Sequence, residues 1–248
     1  MVVPALNEEK NLWAAVGNIL AAAEAAGGVT VEILIVNDGS TDGTRKVIEE
    51  IMAQYPFVRA IHHEHNKGFG ATFMSGLEAA KYEWITLFPG DNVVSVPTFT
   101  NMLQHCGKAD VVCAYTVNTE CRSRLRNILS SIFSFVYTTT FNLPVRYINA
   151  TPIYPVSRLR QMNLRCRRYS FPSETTVRLL RQGCTFLEVQ GFMNPGARKS
   201  SAMRIRNLVE AVGNYASLTY DVCLRHRKDY AHAPTRVLPD GVRLKPAE

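Results

Sequence analysis

The chain has 248 residues, of which 46% are hydrophobic and 20% charged, and it carries a formal net charge of +7. That composition supports one sizeable core and excludes intrinsic disorder over most of the length. The basic balance suits an anionic partner (a nucleotide, a phospholipid surface or nucleic acid) without choosing among them.

Val2 and Val3 read as the end of a first strand that Pro4 stops, short for a central position. Residues 9–26 place Leu12, Val16, Ile19 and Leu20 at helical spacing. The continuous apolar run "VEILIV" (31–36) predicts a strand buried on both faces. A helix follows in "TRKVIEEIMAQY" after cap chemistry at 40–42, then a strand at 58–63. "GFGATFMSGLEAAK" predicts a third helix and "WITLF" (84–88) a fourth strand. This alternation implies an α/β domain with a mainly parallel sheet flanked by helices, a Rossmann-like nucleotide-binding architecture. The second half is less regular. A strand is expected at 109–117, one or two amphipathic helices at 122–141, a helix at 172–183 with Ser173 as its N-cap, a strand at 185–192 and a long helix at 204–227. That last helix has Leu208, Val212, Tyr215 and Leu218 on its apolar side. Most apolar residues near 128–143 and 204–224 are expected to pack on the sheet, although both segments could also lie on a membrane surface. One domain over 1–227 is therefore predicted, its first half (1–100) regular and its second half (101–227) less so. The polar stretch 228–248, with three prolines and no period, reads as a tail.

Positive residues gather at 122–126 and 158–206, while the stretch up to Asp91 is closer to neutral. Six cysteines include no C-x-x-C pair, so reduced thiols are expected rather than a zinc site or a disulfide framework. The N-terminal stretch lacks the pattern of a secretory leader, and no apolar run reaches the roughly 18 residues of a membrane span. A cytoplasmic protein is expected, with peripheral membrane contact as an option.

In parallel sheets, ligands bind beyond the carboxyl ends of the strands, and four polar or glycine-rich loops fall there. "VPALNEEKN" (3–11) presents Asn7 and Glu8, which equally suit a helix start. In "VNDGSTDGT" (36–44), Asp38 ends a buried strand where a carboxylate can meet a base or ribose; an Asx-turn with a helix cap is the plainer alternative. "NKGFGAT" (66–72) offers an anion site at a helix N-terminus without the closing residues of a P-loop. "PGDNV" (89–93) puts Asp91 at a strand end where Mg2+ or Mn2+ could be held, although Pro-Gly-Asp-Asn is also ideal turn chemistry.

Together, in this order and spacing, these loops resemble glycosyltransferase family 2, over roughly residues 1–100 and more loosely to 215. Within it, "CRSRLRNILSSIFSFVYTTTFN" and "LEVQGFMNPGARKSSAMRIRNL" are similar to segments of the dolichyl- or polyprenyl-phosphate sugar synthase branch. The resemblance implies a GT-A fold and transfer of a sugar from a UDP- or GDP-linked donor to a polyprenyl phosphate, in cell-envelope glycan synthesis and without a nucleic-acid partner. It implies that Pro4, Asn7, Glu8, Asp38, Lys67 and Gly68 line the donor site, with Glu8 toward ribose and Asp38 toward the base. Asp91 would hold the metal on the diphosphate, and Lys199 would contact phosphate. The resemblance also implies a nucleotide-binding half (1–100) and an acceptor half (101–227). Five departures stand out: Pro89 replaces the first aspartate of Asp-x-Asp, Asn37 the first of Asp-Asp-Gly-Ser, Val93 a glutamine, Arg198 the serine of Gly-x-Ser-Lys, and Asn149 an aspartate before the mid-chain segment, where that aspartate has a counterpart at all.

A lipid phosphate acceptor is already an anion and needs no strong base; Arg122, Arg126, Arg198 and Arg204 could hold it. A hydroxyl acceptor on a glycan or small molecule would need a carboxylate base, for which Glu174 is the candidate, though it equally suits an ordinary first-turn glutamate. Two rival classes remain: a nucleotidyltransferase, which usually needs a basic glycine-rich loop where this chain has "PALNEEKN", and a non-catalytic nucleotide- or lipid-binding relative.

Overall fold

The computed structural model describes residues 1–91, 93–162, 164, 170–194 and 205–244, with only the backbone of Ile205, Arg206 and Leu208. Nine strands form one run of neighbours among these residues. Strands β1 (Val2–Ala5), β2 (Ile33–Asp38) and β3 (Val58–His63) are parallel, in the order β1-β2-β3. On the free side of β1, Val2 bridges to Leu87, just after β4 (Trp84–Ile85). Strand β6 (Tyr154–Pro155) pairs antiparallel with β4 and touches β5 (Val111–Thr116) through the Val112–Ile153 bridge. Strand β7 (Thr185–Gly191) lies parallel to β5.

The short first strand is stable because both of its edges are used. Val2 donates to the Thr86 carbonyl and accepts from Phe88, each at 2.9 Å, while β2 closes the other edge. Alternation then divides the core: Val2 and Val3 are both fully buried but belong to clusters on opposite faces. Helices α1 (Leu12–Ala25), α2 (Thr44–Gln54) and α4 (Val96–Gln104) cover the Val3 face through Leu12, Ile48 and Phe99. The Val2 face is covered by α3 (Phe69–Ala79), α5 (Arg124–Thr140), α6 (Val156–Arg160), α7 (Phe171–Arg181) and α8 (Ile205–Thr219).

Three expectations change. The stretch read as a tail carries β8 (Thr235–Val237), parallel to β7, and β9 (Arg243–Leu244), antiparallel to β8. Strands of three and two residues flanked by prolines leave no period to read. Ser173 does not cap α7; it is fully buried inside the first turn and donates to Asn149 Oδ1 at 3.1 Å. The apolar residues of α5 mostly face outward. Leu125, Ile128, Leu129, Ile132, Phe135 and Val136 are 37–69% exposed. Its inner side carries Asn127, Ser130, Ser131, Ser134 and Thr138 around a cavity. Helix α8 likewise exposes Val209 and Val212, the latter expected inside, although Leu218 is buried and Tyr215 packs against Tyr137. The α-helical part ends at Thr219 and continues as a π-turn over Tyr220–Arg225.

Candidate functional site

The first two loops are laced together. Asn7 adopts a left-handed backbone (φ 58°); its N–H donates to Ser40 Oγ at 3.0 Å, and its Oδ1 accepts from the Thr41 N–H at 2.9 Å. Glu8 donates its N–H to Thr44 Oγ1 at 2.8 Å, and Glu9 Oε2 accepts from the Gly43 N–H at 2.8 Å. These bonds fix where α1 and α2 begin, and so hold Pro4, Asn7 and Glu8 against the end of β2.

Asp38, the last residue of β2, is 4% exposed, and both of its oxygens are used inside the chain. Oδ1 accepts from the Lys67 N–H at 2.8 Å and lies 2.8 Å from His63 Nδ1; Oδ2 accepts from the Gly68 N–H at 2.9 Å. Lys67 enters through its backbone, with its side chain exposed. Gly39 (φ +72°) supports the same junction, because a Cβ there would lie 2.7 Å from the His65 carbonyl carbon. Asn37, in place of an aspartate, accepts from the Ser40 N–H at 3.0 Å, and its Nδ2 lies 3.2 Å from His62 Nδ1.

The fourth loop closes onto the first. A Cβ on Gly90 would stand 2.7 Å from the Pro4 carbonyl oxygen and 3.7 Å from Glu8 Cγ, so only glycine admits this approach. Asp91 follows directly, at the meeting point of the two loops. No group of three or more His, Cys, Asp or Glu side chains suited to a metal exists among the described residues. Asp91 therefore supplies a single carboxylate. That donor set fits a hard cation which takes its remaining oxygens from a diphosphate and water, as Mg2+ commonly does. It does not make a closed cage. Asn92 lies outside the described residues.

Opposite Asp91 stands the start of α5, capped by Ser123 Oγ, which accepts from the Arg126 N–H at 3.4 Å. Burial and the neighbouring Arg122 charge lower the pKa of Arg126, against a favourable pull from Tyr147 and Asp91. Arg126 thus lies within electrostatic reach of Asp91, and the two arginines repel each other. A cavity of about 390 Å³ opens beside them, lined by Arg122, Ser130, Ser134, Arg146 and Tyr147 among others. Within it Arg122 Nε and Ser134 Oγ are enclosed without a hydrogen-bond partner among the described residues. Ser134 is 7% exposed. A half-buried pair of cations beside unsatisfied polar atoms is suited to an anion with further oxygens.

Glu174 stands apart from this cleft. It is 1% exposed, and its Oε1 lies 3.0 Å from Arg178 Nε; Arg178 also donates to Asp221 Oδ2 at 2.7 Å and to the Tyr230 hydroxyl at 2.8 Å. Arg198, Lys199 and Arg204 lie outside the described residues. The structure thus brings together Pro4, Asn7, Glu8, Asp38, Lys67, Gly68, Asp91, Arg122 and Arg126. Sequence reasoning missed His63, Arg146, Tyr147 and the serines of α5. The serines were legible with Asn127 and Thr138 as a polar face (127, 130, 131, 134 and 138) opposite the apolar one.

An open α/β sheet with four loops converging on one edge and a basic cleft beside a strand-end aspartate defines a nucleotide-binding transferase domain. The chain matches the family model "Glycosyl transferase family 2" over residues 1–166, and it belongs to that family. Its fold is GT-A. It is similar to the mannosyltransferase PcManGT from Pyrobaculum calidifontis in complex with GDP-Man and Mn2+ (TM-score 0.63, 16% identity, covering 93% of this chain and 68% of that one). It is also similar to glucosyl-3-phosphoglycerate synthase from Mycobacterium tuberculosis in complex with UDP (TM-score 0.60, 15% identity, 90% and 78% covered). Among curated proteins it is 29% identical over 142 residues to the dolichyl-phosphate beta-glucosyltransferase ALG5A of Trichomonas vaginalis, covering 52% of this chain and 44% of that one. It is 31% identical over 110 residues to the glycosyltransferase GlyG of Streptococcus pneumoniae serotype 4, covering 44% of this chain and 35% of that one. The chain thus spans less than half the length of these curated relatives.

Proposed function

We propose that this chain transfers a hexose, with inversion, from a UDP- or GDP-linked donor to a polyprenyl phosphate at the cytoplasmic face of a membrane. The observation that carries the proposal is the polar cavity at the start of α5, where Arg122 Nε and Ser134 Oγ are enclosed without a hydrogen-bond partner among the described residues, with Arg126 between Arg122 and the reach of the Asp91 charge. A cation pair for an anionic acceptor then stands beside the carboxylate expected at the donor diphosphate.

In this reading the first three loops hold the nucleoside. Pro4, Asn7 and Glu8 frame the ribose side, and Asp38 acts through the backbone of Lys67 and Gly68. Asp91 would hold Mg2+ or Mn2+, which when bound supplies positive charge to the departing diphosphate. Arg122 and Arg126 orient the acceptor phosphate. One of its oxygens bonds to the anomeric carbon as the bond from that carbon to the diphosphate breaks, and the electron pair leaves with the nucleoside diphosphate. The nucleophile is already anionic, so no proton need be removed. The enclosure of Glu174 within an ion network supports this acceptor over a hydroxyl, which would require a carboxylate open to the cleft.

None of the described helices is long and apolar enough to cross a membrane. The outward apolar stripes of α5 and α8 favour a surface position instead. Curated relatives named as dolichyl-phosphate beta-glucosyltransferases lend support to the same acceptor class. The test is release of nucleoside diphosphate from UDP-glucose or GDP-mannose with Mn2+, with and without a polyprenyl phosphate in detergent. Acceptor-dependent release that Asp91→Ala abolishes is expected. Release that ignores both the acceptor and the substitution would overturn the reading.

A further inference from the structure

A buried hydrogen-bond chain runs beneath the donor loops. His63 ends β3 and is 8% exposed. Its Nδ1 lies 2.8 Å from Asp38 Oδ1, and its Nε2 lies 2.9 Å from Ser75 Oγ on α3. An ionised carboxylate only accepts, so the Nδ1 bond carries the imidazole proton. In the neutral ring Nε2 then accepts from the Ser75 hydroxyl. With the ring neutral the order is that Ser75 donates to His63, His63 donates to Asp38, and Asp38 accepts from the Lys67 and Gly68 N–H groups.

The arrangement has the connectivity of a nucleophilic triad but does different work. Its carboxylate is committed to a backbone loop, and neither described cavity is lined by Ser75. It joins three elements instead: the ends of β2 and β3 and the second turn of α3. Without His63 the carboxylate would be held only by the two amides of the loop it positions, and could shift together with that loop. With His63 on one side, the carboxylate is fixed in the plane that suits both loop amides.

We infer that His63 is a positioning residue for donor binding, holding Asp38 so that Asp38 in turn sets the 66–68 loop against the nucleotide. The inference rests on the donor reading above for the nucleotide, though not for the loop. Two substitutions separate its halves. In His63→Asn the amide nitrogen falls near the position of Nδ1 and keeps the bond to Asp38. In His63→Gln it falls near Nε2 and keeps the side toward Ser75.

The test is amide hydrogen exchange at Lys67 and Gly68, read by NMR on the ligand-free full chain, together with calorimetric titration of UDP and of GDP with Mn2+. His63→Gln is expected to speed exchange at both amides and weaken nucleotide binding, each by about tenfold, as loss of one charge-assisted hydrogen bond would. His63→Asn is expected to restore both to near wild type, and Ser75→Ala to give a smaller change in the same direction. Equal behaviour of the Asn and Gln variants, or unchanged amide exchange in His63→Gln, overturns the inference. If the wild type binds neither nucleotide, the donor reading fails, and the exchange measurement still decides whether His63 sets the loop.

Discussion

Asp38, Asp91 and Glu174 are three carboxylates whose surroundings give them different work. Asp38 is spent on the backbone of a neighbouring loop and on His63. Asp91 stands where Gly90 meets Pro4, with Arg126 across from it. Glu174 is enclosed with Arg178, which Asp221 and Tyr230 also hold. Arg178 keeps Asp221 when Glu174 is neutralised, so the cost is that of weakening one hydrogen bond between charged groups, about 1.5–3 kcal/mol. Glu174→Gln should therefore lower Tm by roughly 5 °C in a domain of this size, while the variant that remains folded below that temperature keeps its transfer rate. Calorimetry and turnover measured on one preparation check this. A stable variant with lost turnover would return Glu174 to the chemistry as a base.

Among elements, the helices that begin the chain were legible together with their buried faces, whereas α5 was legible as a helix but not in its orientation. From β1 to α3, β1 and β2 carry apolar runs and each helix an apolar face, because all lie in or against the same central sheet, while β3 is mixed in composition. Helix α5 breaks that rule: its apolar face is outside and its serine face lines the cavity. The period of 3.6 is visible in the sequence, but which face points inward is decided by what the cavity holds, and period alone does not carry that. β8 and β9 were hidden for a different reason, since they add only three and two residues to a sheet edge already built. The donor loops were legible as a set because strand ends put them on one edge; the His63 link was not, because it depends on the register of β2 with β3, which pairs Asp38 with His63.

Helix α5 exposes six large apolar side chains along one face, the kind of contiguous patch that marks an interaction surface. Each of its large side chains is worth about 1.5–3 kcal/mol on full burial, and Arg122, Arg124 and Arg126 sit at its N-terminal end to meet anionic headgroups. Ile132→Glu combined with Phe135→Glu should abolish co-sedimentation with anionic liposomes and leave UDP or GDP binding unchanged, since neither residue adjoins the donor loops. Retained co-sedimentation would remove α5 from the membrane contact.

At the scale of the whole molecule, the proposed reaction would place the donor at the sheet edge and the acceptor in the basic cleft beside it, so that the two halves of the chain would divide one reaction. A nucleotidyltransferase would release pyrophosphate, and a binding module would release nothing. The account is tested most directly by following a radiolabelled hexose from its nucleotide donor in the presence of Mn2+ and polyprenyl phosphate vesicles. The prediction is label in an organic-phase product that mild acid cleaves to free hexose, the behaviour of a glycosyl phosphate. Label that stays on the nucleotide, or that moves only to a water-soluble, acid-stable glycoside, would contradict it.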